Sequence, residues 1–365
     1  MKTIYKLART ELQTLFYSPI AWLIIVVFTF QVAMIFTGKF VSMAQSQALG
    51  YSVSNVTMGV FASTWGGLFP SVQGYLYLYI PLLTMGLMSR ELGSGSIKLL
   101  YSSPVTNTQI ILGKYLSMMI YGLILMVILM IFVVFAAFTV EEFDFPAVLS
   151  GMLGLYLLLC AYAAIGLFMS SLTSYQVVAA ICTLIMLTVL NYVKGMWQDI
   201  AFVRDITYWL SISGRSGEFI GGLICSEDVL YFILVIALFL WLGIIRLQAC
   251  RQKSTWTVTW GRYLVVFCGA MLLGYLSSRP KLMAFYDATR TKVNTLTPNS
   301  QEIIKRMKGG LTLTAYTNLF DSRDLWTATP KSVNRDKAQF KQYTRFKPEI
   351  KMKYEYYYDT IPGAN

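Results

Sequence analysis

Seven uncharged apolar runs divide this chain, and polar segments separate them. A helix needs about 20 residues to cross a bilayer, and each run reaches or approaches that length. The runs cover residues 20–36, 72–88, 115–138, 146–169, 176–192, 230–245 and 263–276. They predict an all-α polytopic membrane protein with six spans in 20–250, a basic link and a short seventh span.

The polar segment between the second and third runs is longer than a connection between two spans requires. Gly93 and Gly95 predict a hinge, and Ser103–Pro104 predicts a second break. Thr106 and Gln109 have the spacing of a capping box, so a helix is predicted to begin there. This build is typical of a loop that transmits force from a cytoplasmic partner. It is equally typical of a solvated connection, and the pattern alone leaves both open.

Residues 1–19 carry apolar positions at helical spacing with basic side chains beside them. They predict an amphipathic helix in the membrane interface, whose charged residues include Lys6, Arg9 and Glu11. Ser18 and Pro19 predict the end of that helix, because serine caps the first span and proline opens it. The alternative is a basic flank of the first span.

Two outer segments lie between the predicted spans. Residues 37–71 are nearly uncharged and are predicted to form a loop packed on the outer rim. Residues 194–226 include Trp197, Phe202 and Trp209, and are too polar to span the bilayer and too apolar to extend into water. We expect a short helix that dips into the outer leaflet there.

Charge predicts the orientation. Residues 1–20, 89–114, 170–176 and 246–262 carry ten lysines or arginines against two acidic residues, whereas the opposite loops carry four against eight. The positive-inside bias therefore places the N-terminus in the cytoplasm and, with seven spans, residues 277–365 outside it. If the seventh run did not span, that region would be cytoplasmic. The net charge of +12 follows from this topology and the basic tail, so no nucleic-acid partner is predicted.

Residues 277–365 are predicted to begin an extracytoplasmic α/β domain. The expected elements are a helix between Thr297–Pro298 and Gly309–Gly310, a strand at 311–318, a helix at 331–343 and a strand at 350–358. So few elements bury only a marginal core. We therefore expect either further chain or a partner to complete the fold.

The chemistry is restricted mainly by exclusion, because the chain has no histidine. Gly214–Gly217 reads GRSG and is similar to the GxSG motif of rhomboid-type proteases, but their serine needs a histidine base. Gly113–Lys114 lacks the rest of a phosphate-binding loop. No charged residue lies inside a predicted span, which disfavours an ion-coupled carrier. Five cysteines without a CxxC pair predict no zinc site. No catalytic residue, cofactor or metal is therefore expected in this chain.

The segment SRELGSGSIKLLYSSPVTNTQIILGKYL, residues 89–116, resembles the signature loop of ABC type-2 transporter permeases. The matching positions are Glu91, Gly95, Leu99, Leu100, Ser103, Pro104, Val105, Gly113 and Lys114. Ser96 stands where the family often has threonine, and it keeps the hydroxyl group. Residues 165–173 resemble the end of the family's fourth span. The basic residues at 246–253 resemble the basic segment that follows the family's sixth span. The resemblance covers about residues 1–250.

A narrower resemblance is to gliding-motility-type permeases of Bacteroidetes, some of which are fused to an extracytoplasmic auxiliary domain. The segment LTPNSQEIIKRMKGGLTLTAYTN, residues 296–318, resembles the opening of that domain.

The resemblance implies an exporter permease of the bacterial inner membrane. Two copies would form a homodimer in contact with membrane lipid, above a dimer of separate ATPase subunits that bind ATP and Mg²⁺. The 1–19 helix and the loop would dock on the ATPases. The implied ATPase-coupling residues are Arg90, Glu91, Gly93, Gly95, Lys98, Leu99, Leu100, Ser103, Pro104, Val105 and Lys114. Arg90, Glu91 and Lys98 are the charges expected to meet the ATPase. The alternative is that they are solvated or snorkelling side chains.

Three functions remain open at this point. The first is transport of an amphipathic or lipid-linked cargo through the dimer interface, with or without an auxiliary extracytoplasmic protein. The second is mechanotransmission, in which ATP hydrolysis reshapes the exported domain and nothing crosses the membrane. The third is a membrane-anchored scaffold for envelope proteins, without an ATPase.

Overall fold

The computed structural model of the chain describes residues 2–51, 55–193, 200, 203–204, 207, 210–251, 255–277, 284–307, 309–318, 333–347 and 349–357. Most of these residues are helical. The helices are α1 Lys2–Tyr17, α2 Pro19–Ala48, α3 Val56–Phe61, α4 Leu68–Thr84, α5 Gly86–Ser94, α6 Ile97–Ser102, α7 Asn107–Thr139, α8 Phe145–Leu172, α9 Gln176–Tyr192, α10 Ile212–Ile220, α11 Ser226–Arg251, α12 Trp256–Ser277, α13 Pro298–Arg306 and α14 Val333–Phe346. The strands are β1 Leu223–Cys225, β2 Phe285–Asp287, β3 Thr312–Asn318 and β4 Lys351–Tyr357.

Helices long and apolar enough to cross a membrane confirm the polytopic class. Within the described residues these are α2, α7, α8, α11 and the part of α12 from Thr257 to Gly274. Helix α9 is apolar but shorter. Helix α4 has 17 residues with Pro81 inside it, and α5 follows after a single residue, Met85. The predicted second span therefore falls on two helices rather than one.

The N-terminal helix is confirmed, together with its break. The Ser18 hydroxyl accepts a hydrogen bond from the Ile20 amide, and Pro19 occupies the first position of α2. Helix α1 packs along the start of α7. Its lysines and Arg9 are exposed, whereas Glu11 is buried. One charged residue thus points into the protein, which the amphipathic pattern did not predict.

The predicted outer loop at 37–71 is wrong over much of its length. Helix α2 continues to Ala48, and a further helix, α3, follows. The Lys39 amine donates a hydrogen bond to the carbonyl of Trp65, so this charge has a partner and does not end the helix. Gly50, with φ +82°, gives the turn after α2 instead.

The long polar segment forms two short helices, α5 and α6. Gly95, with φ +74°, separates them in a conformation that costs glycine little. Ser103 is extended, and the capping box of Thr106 and Gln109 is present at the start of α7. Gly93 is not part of the predicted hinge, because it lies inside α5.

Helices α11 and α12 form a hairpin that β1 and β2 close. The two strands are antiparallel, with Leu223 opposite Asp287 and Cys225 opposite Phe285. Helix α12 is longer than the predicted seventh run, and it returns the chain to the end of the bundle where α10 ends. At that end the Arg290 side chain donates to Glu142, at 3.0 Å.

The chain divides into two compact units: Met1–Thr188 with Arg215–Arg290, and Val189–Gly214 with Thr291–Asn365. In the second unit β3 and β4 are parallel, with Thr312 opposite Lys351. Helices α13 and α14 and both strands confirm the elements predicted for this region, although Lys331 and Tyr358 lie outside the described residues. Trp197, Phe202 and Trp209 also lie outside them.

Candidate functional site

Three charged side chains meet below the surface where α1, α5 and α7 come together. The Lys114 amine lies 2.5 Å from Oε1 of Glu11 and 2.7 Å from Oε1 of Glu91. The three side chains are 3%, 11% and 16% exposed, respectively. Arg90 lies at the rim, 3.7 Å from Oε2 of Glu11 and 45% exposed. We call these four residues the coupling cluster.

The coupling cluster has two cations and two carboxylates, so its formal charges balance. Burial raises the pKa of Glu91, and the nearby Lys114 opposes that effect. Ion pairs with this little solvent persist only where the charges are matched and hydrogen bonded, because each buried ion has lost its hydration. The cluster therefore fixes the N-terminal helix and the loop helix on the first turns of α7.

Ser170, near the end of α8, lies at the break between α4 and α5. Its hydroxyl oxygen accepts hydrogen bonds from the amides of Met88 and Ser89, at 3.0 and 3.1 Å, and donates to the Met85 carbonyl, at 2.8 Å. In an uninterrupted helix the two amides would donate to carbonyls four residues earlier. The serine hydroxyl replaces those partners, which accounts for the change of helix at Met85.

Two glycines allow the backbones around the cluster to approach closely. A Cβ atom added at Gly113 would lie 2.7 Å from Cβ of Leu7 on α1. A Cβ atom added at Gly93 would lie 2.7 Å from the Ser174 carbonyl oxygen, just after α8. Both distances are too short for a real Cβ, so these positions need glycine for packing.

Arg251, at the end of α11, contacts the turn after α6. Its guanidinium donates to the Tyr101 carbonyl at 2.9 Å and lies 5.6 Å from the centre of the Tyr101 ring. It also reaches the Val105 carbonyl, at 3.4 Å. The basic segment after the predicted sixth span thus contacts α6 and the turn before α7, which together with α5 we call the coupling segment. Lys253 lies outside the described residues.

The other predicted coupling residues divide by exposure. Lys98 and Pro104 are exposed, and Leu99 is 73% exposed although it is apolar. Leu100, Ser103 and Val105 are half-buried. The exposed residues of α6 therefore offer a mixed basic and apolar surface. Glu91 and Lys114 face inward, and an ATPase contact for them stays a prediction.

No local pattern in the sequence pairs the members of the cluster. Glu11 and Lys114 are 103 positions apart. The role of Ser170 was also missed, although it belongs to the stretch at 165–173 that resembles the end of a fourth span. The available signal was a lysine that directly follows Gly113 in an apolar stretch, because close packing at a glycine removes its neighbour from water.

A second buried ion-pair group lies at the opposite end of the bundle. The Arg215 guanidinium lies 2.7 Å from Oδ1 of Asp228 and 3.1 Å from Oε1 of Glu227, and it stacks over the Tyr231 ring at 4.5 Å. These contacts join α10 to the first turn of α11. Ser216 of the GRSG motif is fully buried on α10.

A family model described as "ABC-2 family transporter protein" matches residues 5–203, which is more than half of the chain. The matched range contains α1, the coupling segment, α7 and α8. A search of curated proteins finds no significant match.

Proposed function

This chain belongs to the ABC-2 family of transporter proteins and is a multi-pass membrane permease component, and we propose that it serves an ATP-driven exporter of the bacterial inner membrane. Two copies form a homodimer, and each receives force from a separate ABC ATPase subunit that binds ATP and Mg²⁺. The N-terminus and the coupling segment face the cytoplasm, and the second unit lies outside it.

The coupling cluster is the observation that carries this proposal. A push on α6 is transmitted only if the elements behind it do not yield. Lys114 holds α1 and α5 on α7, and Ser170 joins α5 to the end of α8. Displacement of the coupling segment is thereby delivered to two long membrane helices at once.

The exposed part of α6 is the proposed contact with the ATPase. Leu99 supplies an apolar contact, and Lys98 supplies a positive charge beside it. A single exposed leucine is common on protein surfaces, so the assignment rests on the place of Leu99 and Lys98 in the segment that resembles the family's signature loop. Lys6, Arg9 and Arg90 are exposed charges on the elements that the cluster joins, and we assign them to the same partner.

The cargo proposed for the dimer interface is amphipathic or lipid-linked, because the predicted spans contain no charged residue. The narrower, gliding-motility-type assignment rests on the second unit, whose parallel β3 and β4 strands fit the beginning of an auxiliary α/β domain. That unit also supports mechanotransmission as a second candidate function, in which the ATPase reshapes an extracytoplasmic domain or its auxiliary partner.

A charge reversal on α6 tests ATPase docking. Lys98→Glu should lower the amount of ATPase that co-purifies with the chain by about tenfold or more, and its coupled activity in proteoliposomes by a similar factor. The reason is that Lys98 is proposed to face an acidic surface of the ATPase, and like charges across an interface are costly. Lys98→Arg keeps the charge and is the matched control. Glu91 is unsuitable for this purpose, because its variants would disturb the buried cluster.

A membrane-inserted Lys98→Glu permease with full ATPase recovery and activity would contradict the docking assignment. If no ATPase co-purifies with the wild-type chain, that result favours the scaffold function instead. Cargo uptake into vesicles, with stimulation of ATP hydrolysis by that cargo, separates export from mechanotransmission.

A further inference from the structure

An open groove of about 690 Å³ lies between α11, α12 and the start of α7. Most of its lining is apolar, and the polar side chains in it are Thr108, Gln248 and Arg262. The lining residues are Thr108, Trp241, Ile244, Ile245, Gln248, Val258, Gly261, Arg262, Val265 and Val266. Neither the coupling cluster nor the contacts of Arg251 use this surface.

The depth of the groove matches one leaflet of a bilayer. Trp241 is ten residues before the end of α11, and Val266 is ten residues after the start of α12. At 1.5 Å per residue, each lies about 15 Å along its helix from the connection between the two. A bilayer's hydrocarbon core is about 30 Å thick, so the groove extends over about half of it.

Polarity changes along the groove in the direction that a lipid requires. Gln248 is three residues from the end of α11, and Arg262 is six residues into α12. Trp241, Val265 and Val266 line the deeper part. Arginine can extend its guanidinium toward the interface while its stem stays on apolar surface. Gln248 and Arg262 thus lie nearer the membrane surface than Trp241, Val265 and Val266, and Val258 lies beside them at the mouth of the groove.

The charge around the groove favours an anion. The sequence contains no acidic residue between Asp228 and Asp287. Arg262 is the charged residue of the lining, and Arg246 follows the lining residue Ile245, with its Nε atom buried without a hydrogen-bond acceptor. Basic sites between membrane helices at a membrane surface are suited to anionic lipid headgroups.

We propose that this groove binds an anionic phospholipid from the leaflet on the side of the coupling cluster. One acyl chain lies between α11 and α12 against Trp241 and Val265, and the phosphate binds the Arg262 guanidinium, with Gln248 beside it. The bound lipid fills the space that separates the two helices. Helix α12 is otherwise mostly exposed, so the lipid adds to its contacts with the bundle.

Two glycines on α12 provide a matched pair for the test. Gly261 lines the groove, whereas Gly269 lies eight residues further along the helix and outside the lining. A Cβ atom added at either position meets no atom within 4 Å. Gly261→Phe should therefore fill the groove without displacing backbone, and Gly269→Phe adds the same side chain elsewhere on α12.

The experiment uses the full chain in nanodiscs that contain equal amounts of palmitoyl-oleoyl phosphatidylglycerol and phosphatidylcholine. Native mass spectrometry counts the lipids retained after partial delipidation. The wild-type chain should retain one phosphatidylglycerol preferentially. Gly261→Phe should lose that lipid, and Gly269→Phe should keep it. Arg262→Gln should reduce the preference for phosphatidylglycerol about fivefold, since one arginine near the surface contributes that much.

A second measurement on the wild-type chain does not depend on any variant folding. Phosphatidylglycerol with a photoreactive acyl chain should cross-link to the lining residues of α11 and α12. Equal retention of both lipids by the wild-type chain, or unchanged retention in Gly261→Phe, would overturn the proposal. A change in oligomeric state of Gly261→Phe without lipid loss would do so too, because a second chain would then occupy the groove. None of these outcomes bears on ATPase docking.

Discussion

Replacing Lys114 by methionine is the sharpest test of the coupling cluster. Methionine keeps the apolar stem and removes only the charge that lies between the two carboxylates. Glu11 and Glu91 would then be left largely buried, with Arg90 as their remaining cation at the rim. Leaving buried charge without its partner typically costs about 3–5 kcal/mol.

The lower end of that range applies here, for two reasons. Arg90 is 45% exposed and 3.7 Å from Glu11, so it supplies a weak, solvent-screened attraction. Burial already raises the pKa of Glu91, so this carboxyl can take up a proton and shed its charge. We therefore expect Lys114→Met to lower the free energy of unfolding by about 3 kcal/mol, which corresponds to an apparent melting temperature lower by about 6–12 °C.

The pH dependence has a definite sign. A carboxyl group whose pKa is raised in the fold binds more protons in the folded than in the unfolded state, so stability increases as pH falls through the raised pKa. Lys114→Met removes the group that opposes the effect of burial on Glu91. Its deficit relative to wild type should therefore shrink between pH 7.5 and pH 5.5, measured by intrinsic-fluorescence melting in detergent.

A compensating variant separates charge from packing. Lys114→Met with Glu11→Gln and Glu91→Gln has no unmatched buried charge, so it should recover most of the lost stability. Glu91→Gln alone should cost less than Lys114→Met, because Lys114 keeps Glu11 as its partner. If the triple variant melts as low as Lys114→Met, the charges are not what the lysine stabilises, and the reasoning fails.

Three further outcomes are expected. Gly113→Leu should loosen α1 and cost about 1–3 kcal/mol, because the added side chain meets Leu7; faster hydrogen exchange confined to α1 would show it. Arg215→Met should cost about 3–5 kcal/mol by leaving Asp228 buried without its cation, and adding Asp228→Asn should recover part of the melting temperature; no recovery would argue against a charge effect. Thr106→Ala should cost about 1 kcal/mol through loss of the capping box, whereas Thr106→Ser should melt near wild type.

Local signals in the sequence predicted the boundaries of several helices. Ser18–Pro19, Gly95, the capping box and Thr297–Pro298 each act on the backbone within a few residues, so their effect is readable from the chain alone. The end of α2 was missed because the predicted span stops at residue 36, before Lys39. Its partner, the Trp65 carbonyl, is 26 residues away, and no local pattern reveals it.

The candidate site was only half predictable for the same reason. The resemblance predicts coupling by the segment at 89–114, and this stays a prediction. The contacts of Glu11, Lys114 and Ser170 depend on how α1 and α8 pack on that segment. Burial reverses the expected behaviour of a charged side chain, from solvated to paired. A pattern of charges along one helix cannot show that reversal, because it is decided by neighbours from other helices.

The contact of Ser170 with the break at Met85 has a mechanical consequence. One oxygen atom holds three backbone groups, the carbonyl of Met85 at the break and the amides of Met88 and Ser89 just after it. That contact holds the start of α5 against α8, and the close approach of Gly93 to Ser174 and the ion pair of Glu91 with Lys114 hold the rest of the helix in its direction. Because α5 is held at more than one point, a displacement of α5 would reach α8 as a push rather than be lost in a free rotation of the short helix.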